Sequence, residues 1–263
     1  MSDMLLYFLV AIIVGFVTSG LNIKFDRFFL LILLISILHM SVFDSVNIFL
    51  WVILFGTLYI LISNFEAIKS MPKKQKILRL SVIPVLTLIA SFVGSYLFFI
   101  SPEKVLLISL GILALLYGLR LIFIHFNQED KTQLEGKPIF QKICLILGPM
   151  VSGLSLGFIG TSLKPLKVPF GVKIGKMNLK QVYFGNVITA FFGSLFAIFW
   201  HNTIFITSTS SSITYLIYGF LLWISIHVIS KLTDLFFKDG WKKIFQILIG
   251  IILLIISIKF ISS

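Results

Sequence analysis

Charged side chains are scarce in this chain. Asp, Glu, Lys and Arg make up 12% of its 263 residues against 58% hydrophobic residues, which excludes an ordinary soluble domain. Cysteine is almost absent. Cys144 is the only one, so no intrachain disulfide can form and no thiol metal site is suggested. His39, His125, His201 and His227 lie near expected helix ends without ligand spacing, so no metal site is read there either. No GxSxG, HExxH, P-loop or paired-carboxylate motif occurs. Neither an enzyme nor a cofactor is expected, and any pumping must draw on ion or substrate gradients. The start, Met1-Ser2-Asp3, lacks the basic region of a secretory signal, so Met4–Phe16 is expected to remain as membrane structure.

What the chain has instead is long apolar runs. A helix needs about 20 apolar residues to cross the hydrocarbon core of a bilayer. Val46–Phe65, Leu80–Ile100 and Val182–Ser230 contain no Asp, Glu, Lys or Arg, and the last is long enough for two spans. Val105–Phe126 carries only Arg120 and His125, both near one end. The chain reads as an all-α polytopic membrane protein in the cell (inner) membrane. Its net charge of +12 calls for no nucleic-acid partner, because Lys and Arg gather in the cytoplasmic loops of membrane proteins.

An internal repeat organises these runs. Gly15-Phe16-Val17-Thr18-Ser19 parallels Gly157-Phe158-Ile159-Gly160-Thr161. Each is followed by a basic interruption, a second apolar or mixed piece and three long apolar helices. The first repeat covers residues 1–126, with a hairpin at 4–39 and helices at 46–65, 80–100 and 104–126. The second covers 143–263, with a hairpin at 143–180 and helices at 181–200, 212–230 and 243–261. A polar cytoplasmic linker, 127–142, joins them.

Charge counting selects a topology. If both hairpins enter the membrane and return to their own side, 16 of the 22 Lys and Arg residues face the cytoplasm. Only Lys104 and Lys259 then lie outside, and the other four sit at the hairpin tips. If Ile143–Leu163 crosses fully instead, the tally becomes about 12 against 10, which the positive-inside rule disfavours. The hairpin topology makes the repeats oppositely oriented, the plan of many secondary transporters with a midplane site between repeats. Both termini are expected outside.

The four tip cations are Lys24, Arg27, Lys164 and Lys167. A charge at bilayer depth costs roughly 2.5–3.5 kcal/mol on insertion scales and marks a functional candidate. Ser19, Asn22, Thr161 and Ser162 add hydrogen-bond donors, and a half-helix starting after each break would aim free N–H groups at the tip. This constellation suits a small oxyanion, with Arg27 able to make two parallel hydrogen bonds. A structural alternative is that Lys24 and Arg27 neutralise Asp26 or snorkel to an interface. Asp26 itself reads either as an ion-pair partner or as a proton-coupling group. Asn186 and Thr189, three apart on one helix face, could line a pathway or bond between helices.

The hairpin starts Gly15-Phe16-Val17-Thr18-Ser19 and Gly153-Leu154-Ser155-Leu156-Gly157-Phe158-Ile159-Gly160 resemble the signature regions of the TauE/SafE sulfite exporter family. So do Phe170–Asn186, with Gly175-Lys176 and Lys180, and the basic loop Lys69–Arg79. The resemblance runs over nearly the whole chain. Where the family carries glycine-rich breaks, this chain has Asn22-Ile23-Lys24-Phe25-Asp26 and Lys164-Pro165-Leu166-Lys167, which marks a divergent member. The resemblance implies transport of sulfur-containing anions. The expected function is therefore a permease moving a small anion, a sulfur oxyanion or organosulfonate, by alternating access. The alternative is a non-transporting membrane scaffold or partner protein that retains the fold.

Overall fold

The computed structural model describes residues 2–20, 28–69, 77–123, 138–164, 167, 171–172, 179–205, 212–234 and 239–262. Among them every regular element is helical. The helices are α1 (Ser2–Gly20), α2 (Phe28–Ser36), α3 (Val42–Ser63), α4 (Phe65–Lys69), α5 (Ile83–Ile100), α6 (Glu103–Phe123), α7 (Pro138–Ile159), α8 (Leu179–Thr203), α9 (Ser212–Thr233) and α10 (Asp239–Ser262). A π-helical turn, Leu78–Val82, leads into α5.

Among the described residues six stretches are long and apolar enough to cross a membrane: Val42–Ser63, Arg79–Ile100, Glu103–Phe123, Val182–Thr203, Ser212–Thr233 and Ile244–Ser262. They fall where the apolar runs of the sequence place them. Leu6–Ser19 and Ile143–Ile159 form shorter apolar helices at the expected hairpin starts. The chain is a multi-pass helical membrane protein. Only helices and closed barrels satisfy every backbone group in lipid, and apolar runs of about 20 residues suit the helix.

The chain divides into two compact units, each drawing helices from both halves of the sequence. The first comprises Met1–Phe49, Ser101–Asp130 and Ile213–Ser263. Here α2 is apolar on every side, and Phe28–Leu34 are all buried, as expected of a helix without a polar face. Met40, just past α2, accepts a hydrogen bond from the Tyr7 hydroxyl at 3.4 Å, so the chain has returned to the start of α1. Three contacts run along α1 and α9 in the same direction. Tyr7 stacks on Tyr218, Gly15 packs against Ile229, and the Ser19 hydroxyl donates to Asp234 just beyond α9 at 2.6 Å. These two helices are parallel. By contrast, α6 and α10 are antiparallel: Gly111 meets Phe260 and Ile261, while Gly118 meets Gly250 and Leu254. The start of α3 is capped within this unit. Ser41 and Asp44 bond each other reciprocally, and the Tyr215 hydroxyl donates to Asp44.

The second unit comprises Leu50–Ile100 and Lys131–Ser212. Its core is the α5–α7 pair, held close by small residues. A Cβ added at Gly94 would overlap the Leu154 carbonyl, one at Gly157 the Ser91 carbonyl, and one at Gly153 would lie 2.8 Å from the Thr87 carbonyl. Backbones that approach this closely gain packing that larger side chains would prevent, the usual basis of helix association in lipid.

Candidate functional site

Three helices of the second unit run in one direction. Along α5 and α7, Gly153 faces Thr87 and Phe158 faces Gly94. Along α5 and α8, Gly193 faces Thr87, Trp200 meets Phe92, and His201 meets Phe98. Because α7 and α8 are parallel, the chain between them must travel back the length of a helix.

The described residues of that return show how it starts. Helix α7 ends at Gly160, whose φ of 71° is the left-handed conformation of a helix stop. Leu163 follows with φ 48°, an uncommon value for a branched side chain. The chain then folds back along α7. The Ser155 hydroxyl donates to the Thr161 carbonyl at 2.6 Å, and the Ser152 hydroxyl donates to the Ser162 carbonyl at 3.0 Å. These bonds occupy carbonyls that no helix serves, as a dry environment requires. The Gly157 carbonyl, released where the helix stops, accepts from His201 Nε2 at 2.9 Å. A helical bond resumes from Lys167 N to Leu163 O at 3.0 Å, and Gly171 lies against Val182 in the first turns of α8.

A half-open cavity of about 360 Å³ lies among the N-terminal halves of α5, α7 and α8, with Leu163, Lys167 and Gly171 of the return in its lining. Its lining includes the polar residues Arg79, Lys167, Asn186 and Thr189 and the apolar residues Ile83, Ile143, Leu147, Val151 and Leu163. No carboxylate is among its described lining residues. Arg79 is buried at 6% exposure, while its apolar neighbours Leu80 and Val82 are 42% and 39% exposed. The π-helical turn permits this inversion, because its wider winding shifts side chains around the axis. The Arg79 guanidinium lies 5.6 Å from the Phe184 ring centroid, within cation–π range. Asn186 is 9% exposed, and its buried side-chain Nδ2 has no hydrogen-bond partner. The Thr189 hydroxyl donates back to Gly185 at 2.8 Å. Two cations and an unused amide donor at one apolar cavity form a site that an anion would satisfy.

Of the residues the sequence singled out, Lys167, Asn186 and Thr189 share this cavity. Lys164 does not line it; its Nζ lies 4.6 Å from the Tyr183 ring centroid. Thr161 and Ser162 engage α7 through their carbonyls and are not part of the lining. Ser19 belongs to the first unit and bonds Asp234. Lys24, Arg27, Asn22 and Asp26 lie outside the described residues.

Arg79 is the functional candidate that sequence reasoning missed, since it was counted among the cytoplasmic cations of Lys69–Arg79. Its position directly before an uncharged apolar run was the available signal. His201 was read only as a helix-end residue, and its bond to Gly157 joins positions too far apart in sequence to pair by spacing.

No protein-family model matches the chain, and no curated protein or solved structure matches it either.

Proposed function

We propose that this chain is a secondary transporter that moves a small anion across the membrane by alternating access, as a divergent relative of the TauE/SafE sulfite exporters. The observation that carries the reading is the cavity where Arg79 and Lys167 stand with the open Asn186 amide and with no carboxylate among its described lining residues. A buried cation such as Arg79, with no carboxylate among its described neighbours, is costly, and a bound anion removes that cost.

The contact pattern supports two inverted repeats. In the proposed alignment α1 matches α7, α5 matches α9, and α6 matches α10. Gly15 of α1 packs on α9, and its counterpart Gly157 of α7 packs on α5. Both of these pairs are parallel. The matched helices α6 and α10 are antiparallel, as inversion about an in-plane axis requires. The reversal at Gly160 supports a re-entrant second hairpin, and the approach of Met40 to Tyr7 supports one in the first half.

Charge counting places the starts of α5, α7 and α8 on the cytoplasmic side. The segments before them carry Lys69, Lys73, Lys74 and Lys76, then Lys137, then Lys173 and Lys176. Three positive helix ends and these cations would concentrate anions at a cytoplasmic mouth. The cavity is thus the inward-facing form of the substrate site. Both termini lie outside.

Flux of sulfite, thiosulfate and small sulfonates in proteoliposomes tests this reading. Anion flux that collapses in a well-folded double variant, Arg79→Gln with Lys167→Gln, supports it. Unchanged flux in that variant sinks the site, and absence of anion flux in the parent protein favours the non-transporting scaffold. The internal bond of Ser19 to Asp234 is the observation on the scaffold's side, since it occupies a donor otherwise assigned to substrate.

A further inference from the structure

The cavity is too large and too apolar for a bare oxyanion. Pockets of about 300–1,000 Å³ hold drug-sized organic ligands, and this one measures about 360 Å³. Arg79 and Lys167 are the cations among its described lining residues. Ile143, Leu147 and Val151 line it at steps of four along α7, and they are 41%, 51% and 46% exposed. Gly148, between them in sequence, also lines the cavity, and a Cβ there would meet nothing within 4 Å. An inorganic anion held by the two cations would leave these apolar side chains and the space at Gly148 without a partner.

We infer that the site takes an amphiphilic organic anion, its head against Arg79, Lys167 and the Asn186 amide and its apolar body along the Ile143–Leu147–Val151 face beside Gly148. This rests on the anion-site reading and specifies the substrate class. Burying a methylene strengthens binding by about fourfold, so affinity climbs with chain length until the apolar lining is covered. The same chemistry could come from a free alkyl sulfonate or carboxylate, or from the head and upper chain of an acidic lipid.

The single cysteine is a built-in reporter, because Cys144 lines the cavity. The full chain is reconstituted in phosphatidylcholine nanodiscs, and N-ethylmaleimide labelling of Cys144 is timed with sulfate, ethanesulfonate, butanesulfonate, hexanesulfonate, octanesulfonate or octyltrimethylammonium present. Thermal unfolding with the same compounds gives a second readout that does not depend on thiol reactivity. The expected result is protection at concentrations that fall about fourfold per methylene, at least tenfold slower labelling with octanesulfonate, and none with the matched cation. Arg79→Gln should remove protection by every sulfonate. Gly148→Leu should remove the gain from chain length, so that octanesulfonate protects no better than ethanesulfonate. Protection by phosphatidylglycerol in the nanodisc, with the same dependence on Arg79 and Gly148, would support the site with a lipid as its source.

Equal protection by sulfate and octanesulfonate would overturn this inference and leave the anion site standing. Equal protection by octyltrimethylammonium would overturn it as bilayer partitioning. No effect of any anion on labelling or unfolding would overturn both readings.

Discussion

His201 Nε2 donates to the Gly157 carbonyl oxygen at 2.9 Å, and the imidazole stacks on Phe98 with centroids 4.6 Å apart. Gly157 lies in the last turn of α7, where the chain leaves the helix two residues later and cannot serve this carbonyl. The side chain therefore caps one helix from another, and both groups are buried. His201→Ala should cost about 1–3 kcal/mol, the penalty for a buried acceptor left without a donor. A lowered Tm in a thermal unfolding assay checks this. His201→Gln, which retains a donor, should recover part of the loss.

The glycines of the second unit should separate sharply by position. Gly157→Val or Gly94→Val drives a side chain into the backbone of the facing helix, so about 1–3 kcal/mol or more is lost to overpacking. Gly148→Ala and Gly185→Ala meet open space and should fold with parental yield. Size-exclusion profiles in detergent, read beside Tm, distinguish the two groups. Folded yield from Gly157→Val equal to the parent would contradict the close α5–α7 contact.

Neutralising the cavity cations should trade function against stability. Arg79→Gln and Lys167→Gln should each lower anion flux at least tenfold, about 1.4 kcal/mol of lost binding. Lys164→Gln should change flux less than threefold, because Lys164 sits over Tyr183 and does not line the cavity. Without anion, Arg79→Gln should unfold at a higher temperature than the parent, since it removes a buried charge with no carboxylate among its described neighbours. Flux and unfolding measured on the same preparations test both halves of this expectation.

The proposed topology predicts that epitope tags at the two ends are cleaved by protease added to intact cells. Tags inserted in 70–76 and 127–137 should survive until the membrane is opened. Protection of one terminal tag alone would break the inverted arrangement, because α1 and α10 would then start and end on different sides from those charge counting assigns.

The sequence alone determined the helices that cross. An uncharged run of membrane length has few alternatives in lipid, since its backbone groups must bond within the segment. The runs at Val46–Phe65, Leu80–Ile100 and Val105–Phe126 correspond to helices Val42–Ser63, Arg79–Ile100 and Glu103–Phe123 within a few residues. Lys167, Asn186 and Thr189 were also legible, because polar groups in such runs are expensive enough to stand out.

Which polar groups meet was decided only by tertiary structure. Lys164 and Lys167 are three residues apart in sequence, yet one reaches Tyr183 and the other the cavity. Arg79 reads as another loop cation until the π-helical turn carries it inward. Hydropathy and charge counts report how each segment partitions between water and lipid, a local property. The cavity depends on α5, α7 and α8 running side by side in one direction, and Gly94, Gly153, Gly157 and the return after Gly160 hold that arrangement through contacts distant in sequence. Of the four tip cations, Lys24 and Arg27 lie outside the described residues and Lys164 does not line the cavity. The fold selected Lys167 among those it describes, and joined to it an arginine the sequence had left in a loop.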